Sequence, residues 1–288
     1  MSRLLVLLLL ATTGHGVRAA ESYANCTGFV DSVPAVITAA GTWCLRHDLA
    51  STATSGNAIS IQADNVVLDC NGFKLGGLGA GASTNATGIQ GGGSIGSGGS
   101  QYNVTVRNCT VRGFGTGISI IPGSGNGSGY LVEDNLLDQN RSAGILIGGG
   151  RNRVQRNRVI NTGGRPGGDS AFGIRASADL IDNIVDGIAG DADQVNFSAY
   201  GIDMGGEGYQ ARGNQVSGLH NKGSGAAFGL LAGGSNVLSH NRIVAPVAVT
   251  AGAGICGYQG GCVCIGNTVA NFSNPFSTCV NPADNASH

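Results

Sequence analysis

The sequence is poor in charge, in aromatic residues and in long apolar segments. Of its 288 residues only 11% are charged and 5% are aromatic, and the formal net charge at pH 7 is −1. Nucleic-acid binding rests on clustered Lys and Arg, which this chain lacks. No segment after residue 20 approaches the roughly 18 uncharged apolar residues that a membrane helix needs. We therefore expect no nucleic-acid partner and no membrane span.

The first twenty residues have the layout of a secretory signal peptide. Arg3 precedes an apolar run over residues 4–11, and Ala19 and Ala20 supply the small residues of a cleavage site. The sequence therefore predicts a signal peptide over 1–20 and a secreted or periplasmic protein. The even count of 8 cysteines indicates disulfides in an oxidising compartment, and their spacing matches no zinc pattern.

Glycine, at 52 residues, is abundant, and a repeated motif runs through most of the chain. The pattern apolar-x-x-Asn-x-apolar recurs as VEDNLL, VQRNRV, LIDNIV, ARGNQV and LSHNRI, with a second Gly-Ile element after each copy. Successive copies are mostly about 22 to 31 residues apart. The aligned positions are Asn71, Cys109, Asn135, Asn157, Asn183, Asn214, Asn241 and Asn267.

A period of this length with short β-rich pieces predicts an all-β parallel β-helix of about eight coils. Alternate apolar residues should fill the bore, and the Asn column should form a buried ladder that satisfies backbone groups at a tight corner. We expect an N-terminal cap over 21–58 and the β-helix over 59–288. The predicted bore residues are Leu68, Val106, Val111, Val132, Val154, Val159, Leu180 and Leu238.

The Asn-centred repeats, with ITAAGTWCLRHDL and ISIQADNVVLDCNGFKLGG before them, resemble the right-handed parallel β-helix repeats of the pectin-lyase-like superfamily. The resemblance implies polysaccharide lyases and hydrolases alongside adhesins and non-catalytic periplasmic proteins. The chain departs from the family's catalytic motifs. Its mature part has no Asp-Asp pair, its only Gly-His-Gly lies at 14–16, and the Trp-Ile-Asp-His phrase of many pectate lyases is absent.

Three consecutive loops, over 160–172, 186–200 and 217–228, are longer than those of the preceding coils. Inserted loops are where solenoids carry function, and these should form one wall. They concentrate charge in an otherwise uncharged chain, at Arg165, Asp169, Asp186, Asp191, Asp193, His220 and Lys222.

Two side chains beside this wall should point outward from adjacent coils. In the strands SAFGIRA and SAYGIDM the residue after Ile faces away from the bore, which places Arg175 next to Asp203 in solvent. The simpler interpretation is a surface ion pair. The alternative is a contact to Ca²⁺ or to a uronate.

Phe172, Tyr200 and Phe228 precede the Gly of three successive coils and should stack as an aromatic ladder. Such a ladder covers the coil edge, and aromatic faces also bind sugar rings, so we assign all three with Asp203 as candidate binding residues.

Two functions from different classes remain open. The first is a non-catalytic module that interacts with carbohydrate or serves as a structural component of the envelope. The second is a polysaccharide lyase on an acidic glycan, in which Asp191, Asp193 and Asp203 hold Ca²⁺ and Arg175, His220 or Lys222 is the base. The absence of the family's catalytic motifs favours the first of these functions.

The cysteine positions predict the disulfides. Cys26 and Cys44 should close the cap, and Cys70 should reach Cys109 on the adjacent coil. The four C-terminal cysteines should pair among themselves: Cys256, Cys262, Cys264 and Cys279.

Overall fold

A computed structural model describes residues 23–93, 100–123, 127–168, 170–190, 195–257 and 261–288. Within these ranges the chain has 31 β-strands, one short 3-10 turn at Leu78–Ala80 and no α-helix. No helix in the described ranges is long and apolar enough to cross a membrane.

In chain order the strands are β1 Gly28–Phe29, β2 Ala35–Ile37, β3 Gly41–Cys44, β4 Leu49–Ala50, β5 Asn57–Ile61, β6 Val66–Asp69, β7 Lys74–Gly76, β8 Thr87–Gly91, β9 Val104–Arg107, β10 Thr110–Arg112, β11 Thr116–Ile120, β12 Leu131–Glu133, β13 Leu136–Asp138, β14 Ala143–Ile147, β15 Arg153–Gln155, β16 Arg158–Gly163, β17 Ser170–Ala176, β18 Asp179–Ile181, β19 Ile184–Ala189, β20 Ser198–Met204, β21 Gln210–Arg212, β22 Gln215–His220, β23 Ala227–Ala232, β24 Val237–Ser239, β25 Arg242–Val249, β26 Gly252–Gly257, β27 Cys262–Ile265, β28 Thr268–Phe272, β29 Phe276–Ser277, β30 Cys279–Ala283 and β31 Ala286–Ser287.

The strands form three parallel sheets, which makes the fold a parallel β-helix. Among the described residues sheet A has 11 strands, from β1 and β3 to β30, while sheets B and C have 10 each, running β2 to β29 and β4 to β31. From β2 to β31 the chain passes through sheets B, A and C in a fixed cycle. Strands β5 to β28 make up eight coils, and three strands continue the stack at each end. The predicted fold and coil number are confirmed.

The bore is the hydrophobic core. Every predicted bore residue is fully buried, as are the isoleucines of the Gly-Ile elements, such as Ile174 and Ile202. Equivalent residues of successive coils lie side by side on paired parallel strands, for instance Val132 and Val154. Stacked coils therefore bury a continuous apolar column, which no single coil could do alone.

The Asn ladder runs along the corner between sheets A and C. The hydrogen bonds of Asn157 illustrate the repeating pattern. Its Nδ2 donates to the Asn183 Oδ1 at 3.1 Å and to the Val132 carbonyl at 2.8 Å. The Asn183 Oδ1 also accepts the Asn157 backbone N–H at 3.0 Å. Asn285, which the sequence analysis did not include, continues the column below Asn267.

The alignment of Asn71 with this ladder was wrong. In the first coil the corner between β6 and β7 is longer than the corner between β9 and β10. Asn71 therefore takes a left-handed backbone, with φ of 50°, and is half-buried while its Nδ2 bonds the Leu45 carbonyl. The ladder ends at the Cys109 backbone N–H, which the Asn135 Oδ1 accepts at 2.9 Å.

Disulfides link Cys26 to Cys44 and Cys70 to Cys109, as predicted. The second joins neighbouring coils at the point where the Asn ladder stops. Among the four C-terminal cysteines, Cys264 is bonded to Cys279, and Cys262 lies buried beside that bond. The side chain of Cys256 lies outside the described part of the chain.

Candidate functional site

The three longer loops begin as extensions of sheet C. Strands β16, β19 and β22 continue past the end of the shorter β13, and Thr162, Ile188 and Leu219 pair in register with their side chains buried. The loops thus leave the same edge of the β-helix as one paired layer. Asp169, Asp191 and Asp193 lie outside the described residues.

Phe197 anchors the second loop and was missed by the sequence analysis. Its side chain is 1% exposed and belongs to the core, and its backbone N–H and carbonyl pair with those of Lys222 in an antiparallel bridge. A phenylalanine in the middle of an acidic loop was the available signal. Phe197 therefore positions the second loop against the third.

The aromatic ladder is confirmed on the outer face of sheet B. The Phe172 and Tyr200 ring centroids are 4.7 Å apart with 18° between the planes, and those of Tyr200 and Phe228 are 5.2 Å apart with 20°. The rings are half-buried and cover one another's faces. Their edges are therefore the part of the ladder that is open to solvent.

Arg175 lies against the first ring of this ladder and forms an ion pair with the next coil. Its guanidinium carbon lies 4.9 Å from the centroid of the Phe172 ring, and its Nε lies 3.0 Å from the Asp203 Oδ2. The Arg175 side chain is 55% exposed. More than half of the side chain is thus open to solvent beside the ladder. We call Phe172, Arg175, Tyr200, Asp203 and Phe228 the ladder face.

The expectation that Asp203 faces solvent was wrong, because the residue is only 4% exposed. Side-chain alternation places it correctly on the outer side of sheet B, opposite Arg175 in the strand register. Alternation does not reveal what packs over that side. The carboxylate is a buried anion whose ion pair holds Arg175 in place.

Burial of Asp203 predicts a loss of stability on Asp203→Ala. A hydrogen bond to a charged, buried group contributes about 1.5 to 3 kcal/mol, so we expect the free energy of unfolding to fall by about that amount. Asp31→Ala is the matched control: it removes the partner of Arg46 from a pair whose side chains are 45% and 50% exposed, and should change stability little. Denaturant unfolding measures both, and equal losses would show that burial of Asp203 contributes nothing.

Within the described part of the chain no hydrogen bond or ion pair joins the three predicted catalytic side chains to one another. His220 ends β22 as an exposed residue, and Lys222 lies exposed in the loop that follows. In the described ranges no hydrogen bond or ion pair joins His220 to Arg175 or to Asp203. The assignment of Arg175, His220 and Lys222 as catalytic groups remains a prediction.

Of the three predicted Ca²⁺ ligands only Asp203 is described, and its Oδ2 already contacts the Arg175 guanidinium at 3.0 Å. A cation on that oxygen would lie beside the guanidinium charge. The assignment of Asp191, Asp193 and Asp203 as Ca²⁺ ligands remains a prediction. Among the described residues the sole cluster of potential metal ligands is Cys262, Cys264 and Cys279, two of which are bonded to each other.

Comparison with known proteins finds similar solved structures but no similar sequences. No protein-family model and no curated protein matches the chain. The Dettilon tailspike protein is 16% identical over 85% of this chain and 54% of its own, with a TM-score of 0.45. DFA-IIIase from Arthrobacter chlorophenolicus A6, in complex with GF2, is 15% identical over 83% and 65%, with a TM-score of 0.39.

Tailspike protein 2 from Escherichia coli O157:H7 bacteriophage CAB120 is 14% identical over 86% of this chain and 38% of its own, with a TM-score of 0.40. The chain thus spans less than two thirds of the length of each of these structures.

Proposed function

We propose that this protein is an exported, non-catalytic β-helix module that binds a glycan on its ladder face. The main support for the proposal is the half-buried aromatic ladder with the exposed guanidinium of Arg175 beside it. The three longer loops leave the β-helix next to this ladder. Sugar sites combine apolar aromatic surface with a few oriented polar groups. The ladder face supplies both on a rigid sheet.

The geometry indicates how a sugar would be bound. The faces of Phe172 and Phe228 that point toward Tyr200 are covered by its ring, so a sugar would lie across the ring edges instead. Within the described residues the Tyr200 hydroxyl makes no hydrogen bond, and the Arg175 guanidinium makes only the Nε bond to Asp203. The hydroxyl and the remaining N–H groups of Arg175 would therefore bond sugar hydroxyls at the ring edges.

Export is part of the same proposal. Three disulfides and the signal-like residues 1–20 support a compartment in which thiols are oxidised. Polysaccharides of cell surfaces and of the surroundings are the glycans that such a protein would meet.

Tyr200→Phe tests the proposal with little change to the fold, since the ring and its stacking remain. Loss of one neutral hydrogen bond corresponds to about 0.5 to 1.5 kcal/mol, so glycan affinity should fall about two- to tenfold. The mature chain is first screened on a glycan panel, and the best ligand is then titrated calorimetrically into both proteins.

Tyr102→Phe is the matched control, because Tyr102 is a tyrosine with 42% exposure that lies outside the ladder face. It should bind as the parent protein does. Binding to no glycan on the panel, or an equal loss in both variants, would refute the proposal. Release of ultraviolet-absorbing unsaturated uronides from any polyuronate would instead show a lyase.

A further inference from the structure

A second recess lies on the side of the β-helix where the chain turns from sheet B into sheet A. The turn between β17 and β18 consists only of Ser177 and Ala178, whereas the turns of the adjacent coils span 148–152 and 205–209. One short turn between two longer ones leaves a notch of about 470 Å³. Cavities of this volume are typical of small-ligand sites.

Tyr209 forms one wall of this notch and is held in place. Its backbone N–H donates to the Asn236 Oδ1 at 2.8 Å, its ring packs against the core, and its hydroxyl lies 3.5 Å from the Gly149 carbonyl. The hydroxyl thus reaches across the coil with the short turn. Gly206, with φ of 76°, lies so close to the ring that a Cβ atom there would be 2.8 Å from it.

The opposite wall of the notch carries two arginines whose guanidinium groups make no close hydrogen bond within the described residues. Arg151 and Arg153 are exposed, and within the described chain neither side chain donates a hydrogen bond. The Arg153 Nη2 is 3.7 Å from the Asp179 Oδ2, which is longer than a hydrogen bond. By contrast, the Nε atoms of Arg46, Arg107 and Arg175 lie 2.7 to 3.0 Å from their carboxylates.

The remaining lining keeps the notch open and positive. Asp179 Oδ1 accepts the Gln210 backbone N–H at 3.1 Å, so this carboxylate is partly engaged elsewhere. Burial raises the pKa of Tyr130 to about 12, and its neutral hydroxyl donates to the Gln101 carbonyl at 2.8 Å. Two guanidinium groups against one carboxylate leave an excess positive charge on the lining.

We propose that this notch binds an anionic sugar residue, a pyranose ring that carries a carboxylate or a sulfate group. The ring would lie against Tyr209, and the anion would bond the planar guanidinium groups of Arg151 and Arg153, which match such oxygens in pairs. The notch lies on a different corner of the coils from the loops beside the ladder face. Its ligand binding is therefore independent of the function proposed above.

The test is calorimetric titration of the mature chain with three probes: oligogalacturonate, its methyl-esterified form and a sulfated galactan oligosaccharide. Arg151→Gln combined with Arg153→Gln should weaken binding of an anionic probe at least tenfold. Binding of the neutral ester should not change. The two anionic probes distinguish a carboxylate from a sulfate ligand.

Two further variants separate recognition from damage to the fold. Asp179→Asn keeps the acceptor for Gln210 but removes a negative charge, so it should strengthen binding of the anionic probe severalfold. Arg212→Gln, an exposed arginine on the same sheet outside the notch, should leave binding unchanged.

The proposal is overturned if neither anionic probe binds the parent protein, or if Arg212→Gln weakens binding as much as the double variant does. Loss of anion binding in Tyr200→Phe, with none in the notch variants, would also overturn it and would assign the anion to the ladder face.

Discussion

Asn214→Ala is expected to lower the free energy of unfolding by about 3 to 4 kcal/mol. Asn214 is fully buried; its Nδ2 donates to the Leu180 carbonyl at 2.8 Å and to the Asn241 Oδ1 at 2.9 Å, and its Oδ1 accepts the Asn183 backbone N–H at 3.0 Å. Alanine would leave the Asn183 N–H and the Leu180 carbonyl buried without these partners. Each such group costs about 1 to 3 kcal/mol.

Gln215→Ala is the control for this variant, because Gln215 is the next residue along the chain and is exposed. Its replacement should alter stability by no more than about 0.5 kcal/mol. Urea unfolding followed by circular dichroism gives both values. An Asn214→Ala protein as stable as the Gln215→Ala protein would show that the ladder does not hold the coils together.

Gly201→Ala is expected to cost about 3 kcal/mol through overpacking. A Cβ atom at Gly201 would lie 2.6 Å from the Gly229 carbonyl oxygen and would also overlap Val216 in the bore. The carbonyl belongs to the strand of the next coil and can move only if the sheet does. Glycine recurs at this position in neighbouring coils, at Gly173 and Gly229, for the same reason.

Gly150→Ala is the matched control, since a Cβ atom there would meet nothing within 4 Å. Alanine at that position should leave the melting temperature unchanged or slightly raised. Differential scanning calorimetry compares the two variants. Equal melting temperatures would mean that the coils are not packed as closely at Gly201 as the structure shows.

The bore and most of the Asn ladder could be predicted from the sequence because they repeat. Each coil must place an apolar residue inward at the same position of the repeat. Val132 and Val154, which pair on adjacent coils, therefore stand at equivalent positions of the sequence motif. Asn71 was misaligned because it matches the motif while the corner that contains it is longer than the other corners of the ladder. A motif alignment contains no information on corner length.

Side-chain environments were harder to predict than positions. Alternation showed which face of sheet B carries Asp203 but not that the carboxylate is buried. The notch was missed for another reason. Its signal is the short turn at Ser177 and Ala178 between two longer turns, and it appears only when turn lengths on that corner are compared. The unequal loop lengths that stand out in the sequence belong to a different corner.

The most direct test of the proposed function is a crystal structure of the mature chain with the oligosaccharide that binds most tightly. The proposed function predicts a sugar across the edges of the Phe172, Tyr200 and Phe228 rings, within hydrogen-bond distance of the Tyr200 hydroxyl and the Arg175 guanidinium. A sugar bound elsewhere on the β-helix, with the ladder face bare, would contradict it.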